Sequence, residues 1–387
     1  MLKKIKNKFS IIYLIGFLFA LNIAIPTYIN STFLGNFVPE KVIGIFYTAG
    51  SLLTIFLLIW IPIILRKIGN YKITLSLLLT SILTLLILAF ANNSVVITSV
   101  FIIHLAITAI ILFNFDIFLE NFSDNGNTGS IRGGYLSIKN VAWVISPLIT
   151  GFILTNGDYW KIYSISAILL IPIIYLLYKN FRDFKDPEYE KIFFWDALTL
   201  IWTRKNLYKI FISNFLLRFF YSWMVIYTPI YLHEHIGFSW GTIGIIFTIM
   251  LLPFPILEIP LGKLADRKLG EKEILCFGFI ITGLTTIILT FITSNNPAIW
   301  ASLLFITRIG ASMIEITTES YFFKKIEADD TNILSFFRMT RPVAYVVGPL
   351  IASVLLLFLS FNYLFAILGI IITIVGLSHS LTLKDTK

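Results

Sequence analysis

Along the chain, apolar residues gather into unbroken runs of about twenty, separated by short polar breaks. A soluble helix would instead show an apolar stripe on one face and polar residues on the other. A helix crossing a bilayer needs roughly 20 consecutive apolar residues. Twelve runs meet that length, near 10–31, 41–64, 73–91, 95–117, 134–154 and 160–178, then 207–232, 240–261, 274–293, 297–320, 334–358 and 361–382. The pattern predicts an all-α polytopic membrane protein with twelve transmembrane helices.

Between the sixth and seventh runs lies the only long polar stretch, "KNFRDFKDPEYEKIFFWDALTLIWTRKN". It divides the chain into an N-terminal bundle of six helices (1–179), a linker (180–206) and a C-terminal bundle of six (207–387). Within the linker, Ile192 to Trp202 is amphipathic enough for an interfacial helix or an extension of the seventh run. The composition agrees with the pattern: 57% of the 387 residues are hydrophobic, 13% are charged, and mean hydropathy is +0.88. The first run follows Lys3, Lys4, Lys6 and Lys8 as in a secretory signal. It is too long for one and has no small-residue cleavage pattern, so a retained helix is expected.

The net charge of +9 is distributed by side. One set of alternate loops receives the N-terminal lysines, Arg66, Lys67, Lys72, Arg132, Lys139, the linker, Lys263, Arg267, Lys268, Lys272, Lys324, Lys325, Arg338, Arg341 and the tail. The opposite set holds Lys41 and Lys161. The positive-inside rule makes the first set cytoplasmic, with both termini on that side of the cytoplasmic (inner) membrane. Charge placed this way reads as a topology signal, and nucleic acid is not an expected partner. Cys276 is the only cysteine, which excludes an intrachain disulfide and a cysteine metal cluster.

The two halves repeat. "RKIG" at Arg66 matches "RKLG" at Arg267, and "AWVISPLI" at Ala142 matches "AYVVGPLI" at Ala344. "IGI" recurs at Ile43 and Ile243, and "PTY" at Pro26 is similar to "PIY" at Pro229. All four pairs fall at nearly the same shift, about 200 residues, so the halves run in the same direction as a parallel repeat.

The stretch "GKLADRKLGEK", Gly262 to Lys272, lies between runs eight and nine. It resembles the signature loop of the major facilitator superfamily, Gly-x-Leu-Ala-Asp-Arg-x-Gly-Arg-Lys. "SPLITG" at Ser146 and "GPLI" at Gly348 are similar to that family's Gly-Pro stretches. Two departures stand out. The first-half loop "PIILRKIGNYK" lacks the aspartate and the leading glycine, and run four lacks the arginine common in drug exporters. The resemblance implies a fold of two parallel-repeat six-helix bundles. It also implies a cytoplasmic gate built from Gly262, Asp266, Arg267 and Gly270. In that gate Asp266 faces the N-terminus of the fifth helix near Arg132, and Arg267 pairs with Glu319 or Glu258. The alternative role for this loop is an orientation signal.

Charged residues inside spans usually face a cavity or a partner. Here they are His104 and Asp116, beside Asn114, in run four, Arg218 in run seven, and Arg308, Glu315 and Glu319 in run ten; Asn22 adds a polar group to run one. The resemblance implies that runs one, four, seven and ten line a central path. Arg308, Glu315 and Glu319 have helical spacing and share a face. An arginine at mid-span suits an anionic solute group or a carboxylate that changes protonation. The structural alternative is a contact between Arg308 and Glu315. His104 equally fits hydrogen-bonded packing, and Asp116, Glu258 and Glu319 are near enough to span ends to reach the interface. Tyr28, Trp143, Tyr221, Trp223 and Tyr227 are candidate cavity walls, and the prolines in spans are candidate bends.

The expected function is secondary active transport of a small organic solute by alternating access, as proton-coupled efflux. The alternative is facilitated or proton-coupled uptake of an anionic metabolite. Non-transporting receptors and intramembrane enzymes form the other classes. His233-Glu234-His235 is the one metal-like pair, and it reads better as a solvated turn. No Gly-Lys-Ser/Thr P-loop is present, so ATP drive has no support. No enzyme activity, metal or cofactor is expected, and the partners are a solute, the bilayer and protons, with the chain acting as a monomer.

Overall fold

The computed structural model describes residues 2–120, 128–154, 157–186, 199, 202–264, 270–325 and 331–384. Every regular element among them is helical. The first half holds α1 (Leu2–Thr27), the short α2 (Asn30–Gly35), α3 (Glu40–Ile68), α4 (Asn70–Phe90), α5 (Ser94–Glu120), α6 (Thr128–Ile153) and α7 (Tyr159–Phe181). The second holds α8 (Lys205–Ile230), α9 (Trp240–Leu251), α10 (Pro253–Leu264), α11 (Glu271–Leu289), α12 (Pro297–Lys325), α13 (Thr331–Leu355) and α14 (Tyr363–Ser380). Among the described residues, ten helices are long and apolar enough to cross a membrane. Two shorter apolar stretches, Ser137–Ile153 in α6 and Met339–Leu355 in α13, fall on the fifth and eleventh runs.

Three local features depart from a plain helix. The eighth run is split into α9 and α10 at Leu252, where Pro253 follows as the first residue of the new helix. The end of α8 widens into a π-helical turn, Tyr231–His235, just after Pro229. The chain after α1 folds into α2 instead of a plain loop. The stretch 192–198 of the linker, where an interfacial helix was a possibility, lies outside the described residues.

The chain divides into two compact units: Met1–Pro39 with Ala49–Lys191, and Glu40–Thr48 with Ile192–Lys387. In the first, α1 packs on α6 and α7, and α4 packs on α5 and α7. Buried aromatics knit these helices, as where Phe19 meets Phe115 edge-on at 5.0 Å and Phe118 meets Phe181 at 5.2 Å. Thr150 Oγ1 of α6 donates to the Ile25 carbonyl of α1 at 2.7 Å.

The second unit reproduces these pairings with α8 on α13 and α14, and α11 on α12 and α14. Here the Trp223 indole donates to the Gly348 carbonyl at 2.6 Å, and the Tyr227 hydroxyl donates to the Pro349 carbonyl at 3.2 Å. The "SPLI" and "GPLI" stretches thus serve the same helix pairing in each half. Small residues let α11 approach both neighbours closely. A Cβ on Gly278 would lie 3.0 Å from the Gly310 carbonyl of α12, and one on Gly283 would lie 2.9 Å from the Gly369 carbonyl of α14. The first turns of α3 belong to this unit, where Thr48 Oγ1 donates to the Val346 carbonyl at 3.1 Å.

The backbone repeats as well. Gly69 and Gly270 both adopt φ 89° immediately before α4 and α11, at the shift that aligns "RKIG" with "RKLG". Hydroxyls along the spans mostly bond within their own helix, to a carbonyl three or four residues back. Examples are Thr54 to Gly50, Ser146 to Ala142 and Thr286 to Thr282. Helix α12 carries four more, at Thr307, Ser312, Thr317 and Thr318.

Candidate functional site

In the second unit, charges from two spanning helices meet. Arg218 is on α8, and Glu315 and Glu319 lie one turn apart on α12. Arg218 Nη1 is 3.1 Å from Glu315 Oε1, and its Nη2 is 3.9 Å from Glu319 Oε1. Tyr221, one turn along α8 from Arg218, donates its hydroxyl to Glu315 Oε2 at 3.0 Å. Glu315 therefore has one oxygen on a guanidinium and the other on a phenol. Side-chain exposures of 20% for Arg218, 23% for Glu315 and 36% for Glu319 make the group partly exposed.

Arg308 completes the α12 face and is buried at 2% exposure. Its guanidinium carbon lies 4.9 Å from the Phe220 ring centre and 5.6 Å from that of Tyr221, within cation–π range. The contact between Arg308 and Glu315 that was the structural alternative does not form among the described residues; Glu315 binds Arg218 and Tyr221 across the helix pair. Seven residues of helix rise about 10 Å, too far for a direct ion pair along one helix. From α13, Tyr345 joins the group: it hydrogen-bonds Arg341 and feels the charges of Arg218 and Arg308.

The first-unit candidates are dispersed among separate partners. His104 Nδ1 of α5 is 2.9 Å from Thr84 Oγ1 of α4. Asn22 donates to the Ser166 carbonyl at 2.7 Å. Asn114 is fully buried, and its backbone carbonyl accepts from Asn70 Nδ2 at 3.1 Å. Asp116 acts electrostatically on Tyr135 of α6.

For the expected gate, Gly262 lies in α10 and Gly270 caps α11. Asp266 and Arg267 lie outside the described residues, and so do the side chains of Arg132 and Glu258. Of the two partners considered for Arg267, Glu319 faces Arg218. The histidines of the π-turn separate: His233 Nδ1 is 2.9 Å from the Phe238 carbonyl, while His235 Nε2 is 3.3 Å from Glu40. Among the described residues no three histidine, cysteine or acidic side chains are grouped to hold a metal. Trp223 and Tyr227 commit their polar atoms to the α13 backbone, which makes them packing residues as well as candidate walls.

Two residues escaped the sequence reading. Glu271, the first residue of α11, is 1% exposed and pairs with Lys324 of α12 at 2.8 Å. Asp186 accepts from the Asn70 backbone N–H at 2.8 Å, at the start of α4. Each puts a carboxylate at a helix N-terminus, where the helix dipole favours negative charge. The signal was present in the repeat: Gly69-Asn70 aligns with Gly270-Glu271, so the acid that the second half supplies in place comes in the first half from Asp186.

Comparison with known proteins agrees with this architecture. Residues 210–387 match the family model described as Major Facilitator Superfamily. No curated protein matches the chain in sequence. Among solved structures, the chain is similar to a crystal structure of a mutant of the nucleoside transporter NupG. The TM-score is 0.77 and identity 13%, over 98% of this chain and 100% of that one. The chain is a multi-pass membrane protein whose residues 210–387 match the major facilitator superfamily in sequence and whose fold is similar to that of a solved transporter.

Proposed function

We propose that the chain is a secondary active transporter, not an enzyme, that moves a small organic solute across the cytoplasmic membrane by alternating access. Protons are its coupling ion, it acts as a monomer, and both termini face the cytoplasm. The family supports transport as such. The observation that carries the finer reading is the contact of Arg218 with Glu315 and Glu319 inside membrane-spanning helices. Charges there are costly, and a cell gains from them where they handle a solute or a proton. In this reading Arg218, Arg308, Glu315 and Tyr221 form the solute site. His104, Asn22, Asn114 and Asp116 are the first unit's polar contribution. The loop from Gly262 to Gly270 forms the cytoplasmic gate, through Asp266 and Arg267 with Arg132, Glu258 and Glu319.

Reconstituted vesicles with an imposed pH gradient test the reading. NupG is a nucleoside transporter by its title, so uridine belongs in the solute set beside amines, sugars and organic acids. A solute should accumulate down the proton gradient. Arg218→Ala should slow that flux by about tenfold or more, as expected when a partner of a hydrogen-bonded charge is removed. Glu315→Gln should keep solute exchange but lose accumulation driven by the gradient. Wild-type accumulation in Glu315→Gln, with the protein folded, would remove Glu315 from coupling. Absence of flux for every solute would favour a receptor or scaffold.

A further inference from the structure

The ion pair between Arg218 and Glu315 also indicates what kind of solute the site takes, provided the transport reading holds. Three guanidiniums converge here, from Arg218 on α8, Arg308 on α12 and Arg341 on α13, the last through Tyr345. Two carboxylates, Glu315 and Glu319, oppose them. The described side chains of the cluster thus carry one positive charge in excess. Among the described residues Glu315 has no further ion pair; α10, which also packs on α12, carries Glu258 and Lys263, whose side chains lie outside them. Helix α9 carries no titratable group, and on α11 Glu271 pairs with Lys324 at the far end of α12.

A guanidinium is a planar fork suited to two oxygens of a carboxylate or phosphate. In this structure Glu315 holds one arm of that fork, with Arg218 Nη1 3.1 Å from its Oε1, Glu319 lies 3.9 Å from the other arm, and Tyr221 holds the second oxygen of Glu315 at 3.0 Å. Glu315 is thus a tethered carboxylate standing on a guanidinium that could take a diffusible one. Once Glu315 is protonated, its attraction for Arg218 falls to that of a neutral hydrogen bond, and the fork becomes open to another oxyanion. The rings of Phe220 and Tyr221 beside Arg308 offer an apolar wall for the organic part.

We propose that the cluster binds a small organic oxyanion, a carboxylate or a phosphate ester, on Arg218 in the place Glu315 holds, and that Glu315 takes up one proton as the anion enters. One proton and one monoanion together leave the charge of the cluster unchanged, so the loaded and empty sites present the same net charge to the membrane. Linkage then has a definite sign. Anion binding is coupled to proton uptake, so affinity rises as pH falls, by at most about tenfold per pH unit for one proton.

Thermal unfolding of the full chain in detergent tests this without a flux assay. The probes are pyruvate, benzoate and phenyl phosphate, matched against benzamide and benzylamine, each at about pH 5.5 and about pH 8, either side of neutrality. At least one acid should stabilise the wild type, more strongly at the lower pH, while benzamide and benzylamine do not. Whether the carboxylates or the phosphate ester act identifies the oxyanion. In Glu315→Gln an effective carboxylate should bind equally at both pH values, whereas phenyl phosphate, which itself gains a proton below about pH 6, is compared with the wild type at one pH. Should that variant fail to fold, the wild-type pH series alone decides. The proposal is overturned if benzamide or benzylamine stabilises as well as the acids, if acid binding is independent of pH, or if no acid binds. Uridine or another uncharged solute accumulating in vesicles would then leave transport standing with the substrate class rejected.

Discussion

Single residues carry roles here that depend on their place in the repeat. Gly69 and Gly270 sit at φ 89° with ψ 149° and 174°, a region essentially reserved for glycine. Alanine at either position should cost about 1–3 kcal/mol through backbone strain. Gly69→Ala should be the worse of the two, because its Cβ would also lie 2.7 Å from Asp186 Oδ2. Melting temperatures in detergent would check both the loss and the order. The charged residues in spans were readable one at a time, since Arg218, Glu315 and Glu319 each interrupt an apolar run. Their pairing was not. Spacing assigns Glu315 and Glu319 to one face of α12, but nothing in periodicity says that α8 presents Arg218 to that face. Glu271 was hidden for a different reason: in "GEKE" it looks like any solvated loop charge, and only its burial against Lys324 sets it apart.

At the scale of elements, α11 is the most constrained helix of its unit, pressed between α12 and α14 through glycine contacts on two sides. A Cβ on Gly369 would lie 2.9 Å from the Ile287 backbone nitrogen of α11. Gly369→Leu should therefore force α14 away and destabilise the unit by about 1–3 kcal/mol, the usual cost of overpacking. Chemical or thermal unfolding against Gly157→Leu checks this. Gly157, with φ 74°, has nothing near its Cβ and so isolates backbone strain from crowding. The spans themselves were legible because an uninterrupted apolar run has few structural solutions in a membrane. The helix α2 and the break at Leu252 were not, because six residues carry too little periodicity and a proline in a run marks either a bend or a restart. The π-turn at Tyr231–His235 likewise leaves no trace in hydropathy.

For the molecule as a whole, the loops rich in lysine and arginine decide orientation. A reporter fused after Lys387 should be active only in the cytoplasm, and one inserted between α3 and α4 should behave the same way, whereas one between α4 and α5 should report the opposite side. Protease accessibility of the fusions in sealed vesicles checks it; a C-terminal reporter on the outer face would reverse the orientation. The repeat that the "RKIG" and "SPLI" pairs suggested extends to helix pairings, to paired positive φ angles and to a carboxylate at the start of α4 and α11. The self-bonded hydroxyls of α12 have a last consequence. Thr307, Ser312, Thr317 and Thr318 satisfy their donors on their own backbone, so to a neighbouring helix they are oily surface. A rod surfaced this way slips along its neighbour without unmaking any hydrogen bond those hydroxyls donate. Between α8 and α12 the resistance to such a slide falls to a few clamps, among them the tie between Arg218 and Glu315.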